Sequence, residues 1–493
     1  MTAPIEDRSA ADWSPDSWQR HPCEHQPQYP LPEEAARIVE ELAALPPLVS
    51  SLEVERLREE LAEAAQGRRF LLQGGDCAER FEGCRAPRIA AQLKILLQAG
   101  LIIGRAAGVP VIRVGRLGGQ YAKPRTAPLE QRGEVSLPSF FGDLVNRPAF
   151  SREARTPDPS LLLEGYARSA LTINFIRALI DGGFGDLRHP EWWSLDLPAA
   201  SELLSRWRHL VAEVQRDAGG GSTAIAALPT PVFTSREGLL LAFEAAQTRE
   251  VPRRRGWWNL ATHFPWIGTR TLRLGSGHVE YFRGIANPIA LKIGPATPLA
   301  SLPSLLETLD PARQPGRLTL IHRFGAAEID RLLPEAIAAV ERTGRRVVWS
   351  IDPMHGNTES IRLGATSEGP PVKTRRVERI VEEIERAFAI HARCGAPLCG
   401  AHLEVAAESV AECLGGLDGV TPQDLALAYR SPVDPRLNYG QALEVAFAVA
   451  GQLSAGGIDA KARLSEPASV AAEGTPSDAG DRNRTCMGCP TGT

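Results

Sequence analysis

Short runs of β-branched and aromatic residues recur along this chain, separated by longer stretches whose apolar positions repeat at the helical period. The β-rich runs cover residues 70–73, 111–114, 231–234, 257–262, 289–293, 318–322, 347–351 and 401–405. Helical patterns occupy 90–104, 161–180, 237–246, 332–342, 376–392 and 407–414. Strands alternating with helices predict a parallel sheet with helical crossovers, and eight such units predict an α/β fold of the (β/α)8 TIM-barrel type. A doubly wound sheet is the alternative.

The segment 127–230 is too long to be one connection. Its helical stretch and the pair Trp192 and Trp193 mark it as a helical insertion on the barrel. Such an insertion is the expected home of contacts between copies, so a homo-oligomer is expected. Residues 1–45, with QPQYPLPEE ahead of a helical pattern, read as an N-terminal arm; 46–463 form the barrel domain. From 464 onward apolar periodicity stops, which predicts a disordered tail. Cys486 and Cys489 form a CxxC there without two further ligands nearby, so a solvated tail is expected rather than a zinc site.

Composition narrows the function classes. A chain of 493 residues with 43% hydrophobic content can bury a large core. Its formal net charge of −4 offers no global attraction to nucleic acid or an acidic membrane, so an anionic ligand must be held by local cations. No apolar run reads as a membrane span, and MTAPIEDRSAADW lacks the apolar segment of a secretory signal, so the cytoplasm is the expected location. Eight cysteines are sparse for this length and are expected to be thiols.

In such a barrel the chemistry collects at the C-terminal ends of the strands. The tract VIRVGRLGGQYAKPRT puts Arg116, Lys123, Arg125 and Thr126 at one strand end beside flexible backbone, which reads either as a phosphate site or as a solvated basic turn. With Arg270, Lys292 and Arg323 it makes six cations expected at one mouth. Like charges so gathered are costly unless anions join them. A second set, Cys77, His355, Glu404 and Asp434, offers a thiol, an imidazole and two carboxylates. That mixture suits a borderline divalent ion such as Mn, Co, Fe or Zn and argues against calcium. His263 is read as following the fourth strand. Asp352 and His355 lack a nucleophile elbow, which disfavours a serine hydrolase.

Together LLQGGDCAERF, GQYAKPRT, HFPWIGTRT, ANPIALKIGP, WSIDPMHGNT, HLEV, ECLGG and DPRLN give a chain that resembles the type II (plant-like) 3-deoxy-D-arabino-heptulosonate 7-phosphate (DAHP) synthases. The resemblance covers nearly everything except the tail. It implies a (β/α)8 transferase that opens the shikimate pathway, condensing phosphoenolpyruvate with erythrose 4-phosphate with the help of a divalent metal, Mn or Co foremost. By motif, Cys77, His355, Glu404 and Asp434 are similar to the family's metal ligands. Arg116, Arg270, Lys292 and Arg323 resemble its phosphoenolpyruvate site, Lys123 a lysine near the reacting carbons, and Arg125 with Thr126 the hold on the sugar phosphate. Lys123, Arg116 and His355 are the implied catalytic residues.

The chain departs from the family pattern at several positions. Thr269 stands where Glu is usual, Arg236 where His is usual, His322 and Phe324 flank Arg323, and the loop between His355 and Lys373 looks long. These bear on the acceptor side and leave two further readings: a synthase using an amino or imino sugar phosphate, and a silent homologue that regulates a partner such as a chorismate mutase.

Overall fold

The computed structural model describes residues 13–125, 127–186, 189–190, 193, 201–219, 231–363 and 371–455. Eight parallel strands close a barrel: β1 (Phe70–Gly75), β2 (Val111–Arg116), β3 (Val232–Glu237), β4 (Phe264–Ile267), β5 (Ile289–Ile293), β6 (Leu318–His322), β7 (Val348–Ile351) and β8 (Leu398–Glu404), with β8 paired to β1. Most are buried along their whole length, as expected of parallel strands covered on both faces. The barrel is therefore the fold the alternation predicts.

Three expectations need correction. The fourth barrel strand is Phe264–Ile267, not 257–262; Trp257–Asn259 instead pairs antiparallel with Thr248–Glu250. Both segments are apolar and aromatic, but only Phe264–Ile267 is buried at every position. The stretch 407–414 is not helical, because its Glu412 serves as an acceptor for the backbone of a neighbouring loop, receiving N–H groups of Arg430, Ser431 and Arg436 at 3.1, 2.7 and 2.8 Å. The helix expected over 237–246 is only Leu241–Ala246, since β3 runs on through Glu237.

A fourth correction concerns hydropathy. The helix Ala86–Ala107, between β1 and β2, has 22 residues and a mean hydropathy of 1.3 in its most apolar stretch, enough by length and composition to cross a membrane. Yet 72% of that stretch is buried inside the protein, where it packs on β1, β2 and the helix Tyr439–Ala455.

The helix Ser51–Ala64, which the apolar pattern did not single out, closes the N-terminal end of the barrel. It starts at a capping box in which Ser50 and Glu53 exchange hydrogen bonds. Its Leu57, Leu61 and Ala64 join Leu71, Ile112, Val114, Phe233, Phe264 and Ile321 in one buried cluster inside the barrel. Gly316, just before β6, holds a left-handed φ of 73°, and a Cβ there would stand 2.0 Å from the Arg58 carbonyl oxygen. Only glycine lets the helix come so near. Of the expected insertion, the described parts include the hairpin Leu129–Arg132 with Val135–Pro138 and the helices Ser160–Asp181 and Glu202–Gly219. The expected arm includes the helix Pro32–Ala44, whose Ile38 and Leu42 pack with Phe81, Tyr121 and Leu161. The tail, with its CxxC, lies outside the described residues.

Leu61→Ala should lower stability by about 2–5 kcal/mol, because a fully buried side chain leaves a cavity where barrel and helix meet. Leu52→Ala, at an exposed position on the same helix, should change it by less than about 0.5 kcal/mol. Urea denaturation of both variants measures the contrast.

Candidate active site

Strand register sets the level of the site. Gly75 at the end of β1 pairs with Glu404 of β8 on one side and with Arg116 of β2 on the other. A Cβ at Gly75, whose φ is 148°, would lie 2.7 Å from the Arg116 carbonyl oxygen. The bare backbone there lets the two flanking side chains meet: Arg116 Nη1 donates to Glu404 Oε1 at 3.2 Å.

Glu404 is fully buried and collects further partners. Lys123 Nζ is 3.3 Å from Oε1, His355 Nε2 is 3.2 Å from the same atom, and Arg375 Nη1 donates to Oε2 at 2.9 Å. Burial alone would raise this carboxyl; His355, Lys123 and Arg375 hold it well below the usual carboxylate range. Asp352 shows the same balance. Burial opposes its charge, while His355 Nδ1 at 2.7 Å and Lys292 Nζ at 2.8 Å keep it ionised.

Lys123 is the second hub. Its ammonium donates to Cys77 Sγ and lies 2.6 Å from Asp434 Oδ2, as well as near Glu404. Cys77 Sγ is itself 3.9 Å from Asp434 Oδ2. Burial, with Glu404 nearby, pushes the Cys77 thiol up to about 12. Lys123 is held above its ordinary value by Asp434, Cys77 and Glu404 in spite of burial. The four expected metal-ligand side chains are thus brought into one neighbourhood through Lys123 and Glu404. Among the described residues no three such groups are gathered closely enough to grip an ion as they stand. Yet a cationic ammonium already occupies the point where sulfur and two carboxylates converge, and a thiol, an imidazole and two carboxylates form a donor set suited to a borderline divalent ion.

The loops carrying these groups are tied together below them. Arg436 reaches Asp76, next to Cys77, at 2.9 Å and Glu412 at 2.7 Å, so one buried guanidinium joins the Cys77 loop to the Asp434 loop. The segment between His355 and Lys373 that looked long contains a hairpin, Glu359–Arg362 with Pro371–Thr374; it returns Lys373 to Asp434 Oδ1 at 2.8 Å.

Among the other expected residues, Lys292 joins the cluster through Asp352 and through His402 Nε2 at 3.0 Å. Arg323 donates to Thr269 Oγ1 at 3.2 Å, so the residue at that unusual position fastens a cation. Arg270 is more exposed; its charge, with those of Lys292, Lys123 and Arg116, acts on the buried Glu237 carboxyl, which burial pushes up. Arg125 is half-buried, and no hydrogen bond or ion pair among the described residues joins it to the cluster; Thr126 lies outside the described residues. Arg236 points elsewhere, into a pair with Glu244 at 3.0 Å over the Phe243 ring. His263 precedes β4 rather than following it. It sits toward the N-terminal end, accepting from the Thr234 amide at 2.9 Å and facing Glu53 at 3.7 Å.

Residues that sequence reasoning missed include His402, Arg375 and Arg436. His402 stands two positions before Glu404 on β8, hence on the same face, and bridges Arg116 at 2.9 Å and Lys292; that period was a usable signal. Trp266 of β4 floors the site, with Arg116 and Lys292 5.3 and 5.6 Å from its ring. Arg375 and Arg436 lie in loops, where no periodicity marks them.

A closed parallel barrel whose strand ends gather cations, carboxylates and a thiol is a (β/α)8 protein with a densely charged mouth. The chain matches the Class-II DAHP synthetase family over residues 13–450, and it belongs to that family. It is 42% identical over 463 residues to a Neurospora crassa protein named phospho-2-dehydro-3-deoxyheptonate aldolase, covering 90% of this chain and 94% of the relative. A Streptomyces coelicolor protein of the same name is 40% identical over 438 residues, covering 88% and 96%. A solved structure of phospho-2-dehydro-3-deoxyheptonate aldolase from Francisella tularensis SCHU S4 is similar with a TM-score of 0.46 and 13% identity, over 84% of this chain and 96% of that one.

Glu383 accepts from the Gly325 amide at 2.8 Å and from Asn357 Nδ2 at 2.7 Å, bracing the loops that follow Arg323 and His355. Burial pushes its carboxyl up from an ordinary 4.5 to about 8. A carboxyl raised on folding stabilises fully below 4.5, and that contribution disappears as pH rises through about 8. The urea midpoint of the wild type should therefore fall over this window relative to Glu383→Gln, whose own curve should be flatter.

Proposed function

We propose that this chain condenses phosphoenolpyruvate with erythrose 4-phosphate to give DAHP and inorganic phosphate, the first step toward aromatic compounds, in the cytoplasm. The observation that carries this reading is a set of unsatisfied donors. Arg116 Nε, Arg323 Nε and Arg375 Nη2 are buried without an acceptor among the described residues. Buried donors without partners are costly, and anionic substrates would offset that cost. The names of the 40–42% identical relatives support the same reaction.

In this reading Arg116, Lys292, Arg323 and Arg270 hold phosphoenolpyruvate, with Arg116 toward its carboxylate. Bringing two anions together in one orientation turns an unfavourable encounter into a near-attack arrangement. The methylene carbon of phosphoenolpyruvate then bonds to the aldehyde carbon, Lys123 gives a proton to the developing alkoxide, water adds to the adjacent phosphate-bearing carbon and loses a proton, and phosphate departs as that carbon becomes a ketone. Arg125 and Thr126 receive the sugar phosphate. Cys77, His355, Glu404 and Asp434 would hold a divalent ion, Mn or Co foremost, which supplies Lewis-acid polarisation of the aldehyde when bound. Asp352 keeps His355 oriented through its Nδ1, leaving Nε2 toward Glu404.

Thr269 favours one alternative acceptor, an amino or imino sugar phosphate, because a hydroxyl rather than a carboxylate there meets Arg323. Phosphate release from phosphoenolpyruvate with erythrose 4-phosphate, in competition with the amino analogue and with product mass analysis, decides between them. No release with either acceptor overturns the proposal. Lys123→Met should lower turnover at least about 100-fold if it is the proton donor. Added Co(II) should give a thiolate charge-transfer band that vanishes in Cys77→Ala; an unchanged band would exclude Cys77 as a ligand.

A further inference from the structure

Two residues beyond Cys77, Glu79 turns its carboxylate toward the backbone that follows β2. There it accepts three consecutive backbone N–H groups: Gly118 on Oε1 at 2.9 Å, and Gly119 and Gln120 on Oε2 at 2.8 Å each. Gly118 holds a left-handed φ of 71°, and a Cβ there would stand 3.2 Å from the Ile173 side chain, so a glycine is what lets these N–H groups converge. Successive amides curved in this way form an anion-binding concavity. Among the described residues no cation pairs with Glu79, so the three amides are its counter-charge.

The concavity is thus filled by the protein's own carboxylate. All three residues of the turn are buried, and buried N–H groups without an acceptor are costly, so turn and carboxylate need one another. The contact is reciprocal, since the Glu79 amide donates to the Gln120 carbonyl at 2.8 Å. Gln120 passes the constraint on: its Oε1 accepts from the Glu237 amide at the end of β3 at 2.9 Å, and its Nε2 donates to the Ala122 carbonyl at 2.9 Å, one residue before Lys123. On the other side Arg116 Nη2 donates to the Cys77 carbonyl at 2.8 Å. Glu79 therefore joins the two segments whose side chains meet where Lys123 donates to Cys77 Sγ.

We infer that Glu79 is a positioning residue, an internal anion that folds the turn 118–120, sets Lys123 against Cys77 and keeps the amides of the turn from taking a substrate phosphate. A sugar phosphate is then left to side chains. The part of this that concerns Lys123 rests on the proposed reaction; the folding of the turn does not.

Glu79→Ala empties the concavity, and sodium formate probes it, with neutral formamide as control at constant ionic strength. Calorimetry should show formate binding at one site in the variant and not in the wild type. Formate, but not formamide, should raise the melting temperature of the variant and leave that of the wild type unchanged. Turnover of the variant should fall about 100-fold with KM for phosphoenolpyruvate held within about twofold, and formate should restore it at least about tenfold. Should Glu79→Ala fail to fold, Glu79→Gln, whose amide turns a donor toward donors, should show a lower melting temperature and lower turnover, with no response to formate. Absence of formate binding to a folded alanine variant, an equal effect of formamide, or wild-type melting and turnover in either variant would each overturn the inference. A wild type without turnover would remove the proposed reaction, while formate binding and melting temperature would still decide the role of Glu79.

Discussion

The structure of the mouth depends on one buried negative charge, the Glu404 carboxylate. An unpaired carboxylate so far from water would be neutralised by taking up a proton. Here Arg116, Lys123, His355 and Arg375 converge on it from a strand and three loops, so its charge and their positions require one another. Each partner is shared onward: Lys123 with Cys77 and Asp434, His355 with Asp352, and Asp352 with Lys292. Withdrawing one member would strand another in a low-dielectric setting, which makes the network an all-or-none assembly.

This assembly rests on backbone that has little freedom. The pairing of Gly75 with both Glu404 and Arg116 fixes their height, and the Asp76–Arg436–Glu412 chain fixes the two outer loops. At the far end the helix Ser51–Ala64 fills the barrel with apolar side chains. The molecule thereby separates a polar, charge-balanced end from an apolar, packing-dominated one, and Trp266 with its two neighbouring cations marks the boundary.

Much of this was legible in the sequence because parallel strands are buried on both faces. Continuous apolar runs locate β1, β2, β5, β6 and β7 to within about two residues, and the polar residues at or just past the ends of β2, β5 and β6 include Arg116, Lys292 and Arg323. Periodicity does not separate two neighbouring apolar aromatic segments, so Trp257–Asn259 reads as the fourth strand in place of Phe264–Ile267, and His263 reads as following a strand that it precedes. Nor does it mark loops that are shaped by long-range polar contacts. Glu412 looks like part of an amphipathic helix, and only its contacts with Arg430, Ser431 and Arg436, further along the chain, show that it is a template for a loop. The family resemblance, not periodicity, singles out the roles of Arg125 and Thr126; among the described residues no hydrogen bond or ion pair joins Arg125 to the cluster, and Thr126 lies outside them.

The apolar helix Ala86–Ala107 has a consequence for how the chain is made. Its cover includes Tyr439–Ala455, which leaves the ribosome more than three hundred residues later. At about 5–20 residues per second, synthesis leaves that surface without its final cover for tens of seconds. β1 likewise waits for β8 before the barrel can close. The nascent chain must therefore keep its most membrane-like segment sheltered by provisional contacts or by chaperones until the last helix arrives. The order of translation, as much as the finished packing, constrains what this helix can contain.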